Sequence, residues 1–86
     1  MVRIFNVDGT ETVAQNGFTF TDAAKIVDGP VEVIWLPDNE VLLVNEDGYM
    51  VRLPPNPKFS GPGARLVGNV ILLQGRATIH RVLGGV

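Results

Sequence analysis

Two runs in this chain, Val41-Leu42-Leu43-Val44 and Val70-Ile71-Leu72-Leu73, are apolar at every position. Side chains on a strand point alternately to its two faces, so a strand without alternation is one buried on both. The chain has 86 residues, 45% of them hydrophobic, and this length suits one domain spanning residues 1–86. So small a domain has little interior with which to cover two faces of a sheet. The expectation is therefore a homo-oligomer, in which a second copy covers part of the apolar surface.

Around these two runs the sequence predicts an antiparallel α+β fold. Val2 to Val7 has strand propensity, Asp8-Gly9 signals a turn, and Glu11 to Gln15 returns as a hairpin partner. Thr19-Phe20-Thr21-Asp22 opens a short helix, with Thr19 as cap, Asp22 completing a capping box, and Phe20, Ala24 and Val27 facing the core. Gly29-Pro30 ends it. Val31–Leu36 and Glu40–Asn45 read as strands joined by the turn Pro37-Asp38-Asn39, and Tyr49–Leu53 as a short strand leaving Asp47-Gly48. Pro54-Pro55-Asn56-Pro57 is expected to stay out of any ladder, and Pro57–Ser60 to form one helical turn broken by Gly61-Pro62-Gly63. Val70–Gln74 is a strand, and Arg76–Leu83 reads as a last strand or an exposed tail, Thr78, Ile79 and Val82 favouring the strand. Gly84-Gly85-Val86 should fray. The fold expected is an antiparallel sheet of four to six strands with one short helix packed on it, Glu40–Asn45 and Val70–Gln74 being central.

The side-chain inventory is poor in reactive groups. With no cysteine there is no disulfide, thiolate zinc site or thiol nucleophile. His80 is the only histidine and Ser60 the only serine, which leaves no histidine metal cluster and no triad in a nucleophile-elbow context. The carboxylate pairs Asp38/Glu40 and Glu46/Asp47 lie at turn tips and read as solvated groups. No catalytic residue, metal or cofactor is predicted. The N-terminal residues lack the apolar run of a signal peptide, and no stretch approaches the roughly 20 apolar residues of a membrane span. The expectation is a cytoplasmic protein without a membrane partner.

Charge is distributed unevenly. Residues 1–50 carry two basic and nine acidic residues, a balance of −7, whereas residues 51–86 carry five basic and no acidic ones. Sheet pairing would interleave the two sets; otherwise the basic half offers an anion site. A pI near 5.1 disfavours nucleic acid. The segment Gly61-Pro62-Gly63-Ala64-Arg65 is a loop that could close an Arg over an anion, with Tyr49 and Arg52 nearby. Tyr49, Arg52, Arg65, Arg76 and Arg81 are the candidate ligand-binding residues.

Several strings occur together from residue 26 to residue 75: Ile26-Val27-Asp28-Gly29, Glu32-Val33-Ile34, Leu36-Pro37-Asp38, Val44-Asn45-Glu46-Asp47-Gly48, Leu53-Pro54, Asn56-Pro57 and Val67-Gly68-Asn69-Val70. In these the chain resembles the family catalogued as domain of unknown function 3846. That resemblance implies a small protein of the kind common in bacteriophages and mobile elements, and it offers no catalytic residues. Ser60-Gly61-Pro62-Gly63 stands where members of that family more often continue a helix. The function expected is a non-enzymatic binding module acting on a host macromolecule in the host cytoplasm. The alternative is a homo-oligomer that sequesters a phosphorylated nucleotide signal as a counter-defence.

Overall fold

Residues 1–84 are described by a computed structural model, Ala64 by its backbone alone. In chain order the elements are β1 (Val2–Phe5), β2 (Glu11–Val13), α1 (Phe20–Val27), β3 (Val31–Leu36), β4 (Glu40–Asn45), β5 (Pro55–Gly61), β6 (Ala64–Val67), β7 (Val70–Gln74) and α2 (Arg76–Leu83). The main sheet is antiparallel throughout, in the order β2-β1-β7-β4-β3. The two strands without alternation, β4 and β7, lie side by side in its middle, Leu42 opposite Leu72 and Leu43 opposite Ile71.

Each face of this pair has its own cover. Val41, Leu43, Ile71 and Leu73, with Val2 and Ile4 of β1, pack under Ala23 and Val27 of α1 and Val82 of α2. On the opposite face Leu42, Val44, Val70, Leu72 and Phe5 pack under Phe59 and Leu66 of the β5–β6 hairpin. Phe5 and Phe59 meet edge to face, with centroids 5.3 Å apart. The hairpin is thus a third layer, and both faces of the central strands are buried within one chain.

The helix cap forms as the sequence predicts. The Asp22 amide donates to Thr19 Oγ1 at 3.1 Å, and the Thr19 amide donates to Asp22 Oδ2 at 2.9 Å. The buried stripe, however, is Ala23 and Val27; Phe20 and Ala24 are only half-buried. Four other expectations require correction. Arg76–Leu83 is a helix, so two helices flank the sheet rather than one. Its β-branched residues suggest a strand by propensity, but Ile79, Val82 and Leu83 recur at helical spacing and pack on the core, and that packing decides. Pro55 and Pro57 do join a strand, because β5 belongs to a two-stranded ribbon whose pairing lapses between Pro55 and Ser60. Pro57–Ser60 is consequently extended, not a helical turn. Tyr49–Leu53 is a turn rather than a strand. β1 and β2 are also shorter than predicted, and Gly85 and Val86 lie outside the described residues.

Charge pairing is sparse. The one ion pair among the described residues joins Arg3 to Glu11 at 2.7 Å, with Arg3 also lying over the Phe5 ring. Its hydrogen bond holds the Glu11 carboxyl below its usual 4.5, and bonds from Thr10 hold Asp8 below 3.8. A lowered carboxyl stabilises the fold above its unfolded value and loses that effect as pH falls through its folded one. Both groups are exposed, so the contribution is small.

Leu43 and Leu72 report on the two core layers separately, since they face opposite covers. Either change to Ala is predicted to cost about 2–5 kcal/mol in urea unfolding. Values within roughly 0.5 kcal/mol of wild type for both would contradict this layering.

Candidate interaction surface

The connections at one end of the sheet are held by three asparagine side chains. At the end of β4, buried Asn45 donates from Nδ2 to the Val27 and Asp28 carbonyls, at 2.9 and 3.1 Å. These are carbonyls that the last turn of α1 leaves without a helical partner. The same side chain accepts from the Asp47 amide at 2.7 Å, which starts the next turn. Asn56, fully buried, donates to the Phe5 and Gly68 carbonyls at 2.8 and 2.9 Å and accepts from the Lys58 amide at 3.0 Å. Asn69 donates to the Ile26 carbonyl and accepts from the Val7 amide, both at 3.0 Å. An amide side chain has both donor and acceptor faces, so each Asn joins segments that cannot pair through a ladder.

Between Asn45 and Asn56 the chain turns a corner from the sheet to the hairpin layer. The Val51 amide donates to the Asp47 carbonyl at 3.0 Å, closing one helical turn. The Leu53 amide then donates to the Gly48 carbonyl at 2.9 Å and the Arg52 amide to the Tyr49 carbonyl at 3.2 Å. This nested pair is the Schellman arrangement that terminates helices, and it requires a left-handed residue at its end. That residue is ordinarily glycine; here it is Arg52, with φ 59°. The base of the corner leaves no room for side chains. A Cβ on Gly48 would lie 2.7 Å from Val67 Cγ2, and one on Gly68, itself at φ 77°, 2.8 Å from Leu53 Cδ1.

The outer side of the turn is apolar and open. Tyr49, Met50 and Val51 are consecutive and 61%, 83% and 59% exposed. The Tyr49 hydroxyl donates to the Arg65 carbonyl of β6, which ties the corner to the hairpin. A shallow cleft beside it is lined by Glu32, Ile34, Glu46 and Tyr49.

Of the five candidate ligand residues, Tyr49 and Arg52 lie on this corner, and Arg65 reaches it through its backbone carbonyl. Arg76 and Arg81 sit on α2, across the sheet. Arg81 Nη1 donates to the Phe18 carbonyl at 3.0 Å and ties α2 to the segment before α1. The five do not converge within one chain, and among the described residues no basic side chain after residue 50 pairs with an acidic one before it. The sequence does not signal the exposure of Met50 and Val51, because Tyr49–Leu53 has the composition of a strand, where alternate residues would be covered. Among the described residues no group of three or more His, Asp or Glu side chains could hold a metal ion. No helix among them is long and apolar enough to cross a membrane.

Comparison of the chain with protein-family models, curated proteins and solved structures finds no match. What the corner does must be argued from its own geometry.

Three variants test how it is held. Asn56→Ala orphans buried partners and should cost about 1–3 kcal/mol. Asn56→Asp should be worse at neutral pH, where a carboxylate would face two carbonyls. It should recover as pH falls, because the neutral acid is the form that burial favours. A pH-independent Asn56→Asp stability would contradict this. Arg52→Gly relieves the left-handed strain and should stabilise by about 1 kcal/mol in urea unfolding; a loss of stability would contradict the role given to Arg52.

Proposed function

We propose that this protein is a non-enzymatic binding module whose contact surface is the corner between β4 and β5, and that its partner is a protein. The observation that carries this is the consecutive exposure of Tyr49, Met50 and Val51 on a turn fixed by its own hydrogen bonds. Large apolar side chains are normally scattered on a surface, and a contiguous group marks a contact site. Tyr, Met and Arg are the types enriched at protein interfaces. A turn already closed by backbone bonds loses little entropy on binding, so more of the contact energy appears as affinity. Arg52 fits the same reading. Strain retained at an exposed position costs stability, and such strain clusters where a side chain must be aimed. The family resemblance supports a phage or mobile-element source and a host protein as partner.

The nucleotide-sequestering alternative draws on Arg52 and Arg65, which share the corner, and would need further cations from another copy. Affinity capture separates the two readings. Met50 is the most exposed of the three, so Met50→Glu should leave the melting temperature unchanged while abolishing retention of a protein that wild type captures from host lysate. Equal retention by both, or none by either, would contradict the proposal. Calorimetric heat and thermal stabilisation with a cyclic or linear nucleotide, lost in Arg65→Ala, would favour the alternative instead.

A further inference from the structure

The outer edge of β3 carries a second surface, which adjoins the corner through Glu32 and Ile34. The Glu46 amide donates to the Pro30 carbonyl at 2.8 Å, just beyond the β3–β4 ladder. In an antiparallel pair the residues that exchange such bonds alternate along the strand. Glu32, Ile34 and Leu36 therefore bond inward to β4, and Val31, Val33 and Trp35 turn their N–H and C=O groups away from the sheet. None of these three takes part in any backbone bond outside the ladder. Such an edge is usually blunted by Pro, Lys, a bulge or short length. The other edge of the sheet is blunted: β2 has three residues, two of them Glu11 and Thr12. β3 has six residues in regular register, no Pro, Lys or bulge, and one charge, Glu32. Trp35, near its end, is 68% exposed.

We propose that β3 is the pairing edge for a second copy of this chain, joined antiparallel about a two-fold axis through Val33 and normal to the sheet. Antiparallel partners must share a face, so a self-paired strand has to be centred on one residue. Val33 is the only centre that engages all three outward-facing residues. Val33 then exchanges both bonds with Val33 of the second copy, and Val31 does so with its Trp35. The exposed indole is thereby placed over the half-buried Val31 of the other copy, on the helix side, at the separation where cross-strand aromatic and β-branched pairs attract. On the hairpin side Glu32 faces Ile34 of the other copy, so no acid stands directly opposite an acid. A foreign strand could use the same backbone groups, but the edge is complementary to itself in hydrogen bonding and in face. Because the axis is normal to the sheet, the two Tyr49 corners emerge on the same face of a ten-stranded sheet, and a partner with repeated sites could engage both.

Trp35 is the only tryptophan, so its emission reads this contact directly. Sedimentation velocity from sub-micromolar to sub-millimolar protein should show a monomer–dimer equilibrium, with Trp35 emission shifting to the blue as dimer forms. In Val33→Pro the lost N–H is one that points outward, so β4 pairing and the circular dichroism spectrum should persist while the protein stays monomeric. Should that variant fail to fold, Trp35→Lys replaces an exposed side chain and should weaken association about tenfold or more. Met50→Glu should dimerise like wild type, which keeps this test separate from that of the corner. A monomeric wild type across the range, or unweakened dimer in the folded edge variants, would overturn the proposal.

Discussion

The amide side chains of Asn45, Asn56 and Asn69 join the layers at one end of the sheet. Two helices, a five-stranded sheet and a hairpin are stacked in a chain whose described part is only 84 residues long. The connecting segments must therefore be short and partly buried, and buried backbone groups without partners are costly. Ladders cannot serve them, because the segments meet at angles and in different layers. Asn45 links α1 to β4 and to the corner. Asn56 links the hairpin to β1 and to the turn before β7. Asn69 links that turn to α1 and to the segment after β1. No buried side-chain polar atom among the described residues is left without a hydrogen bond. That end is thus specified by directional bonds, while the middle of the sheet is specified by apolar packing.

This division explains what could be read in advance. β3, β4 and β7 have the bounds the sequence suggests, because Pro, Asn-Asp and Gly punctuation coincides with changes in hydrophobicity. The capping box of α1 was legible because its partners are three residues apart. Local signals misled where the decisive contact was distant. Arg76–Leu83 has strand-forming residues, but its apolar stripe has a helical period and a core to rest on. Pro55 and Pro57 argue against a central strand, not against a ribbon at the surface. The second face of β4 and β7 suggested a cover from outside the chain. The β5–β6 hairpin, through Phe59 and Leu66, supplies one from within.

The candidate surface was legible only in part, for a similar reason. Tyr49 and Arg52 lie on the corner, where the Tyr49 hydroxyl reaches the Arg65 carbonyl, whereas Arg76 and Arg81 follow α2 to the other side of the sheet. The exposure of Met50 and Val51 depends on a closing bond from Leu53 back to Gly48, and Trp35 is informative only once β3 is known to be an edge. Asn45, Gly48, Asn56, Gly68 and Asn69 each have a structural task in holding or seating the corner. A framework of this kind positions a surface without naming what it binds.

Asn45 and its neighbours hold the corner as a preformed turn. Amide hydrogen exchange tests it most directly, because opening of the corner and global unfolding are read at different residues. The account predicts slow exchange at the Asp47, Val51, Arg52 and Leu53 amides of the wild type. In Asn45→Ala these four should exchange far faster, while Ile71 and Leu73 in the centre of the sheet keep most of their protection. Unprotected corner amides in the wild type, or a uniform loss of protection across corner and central sheet in Asn45→Ala, would contradict it.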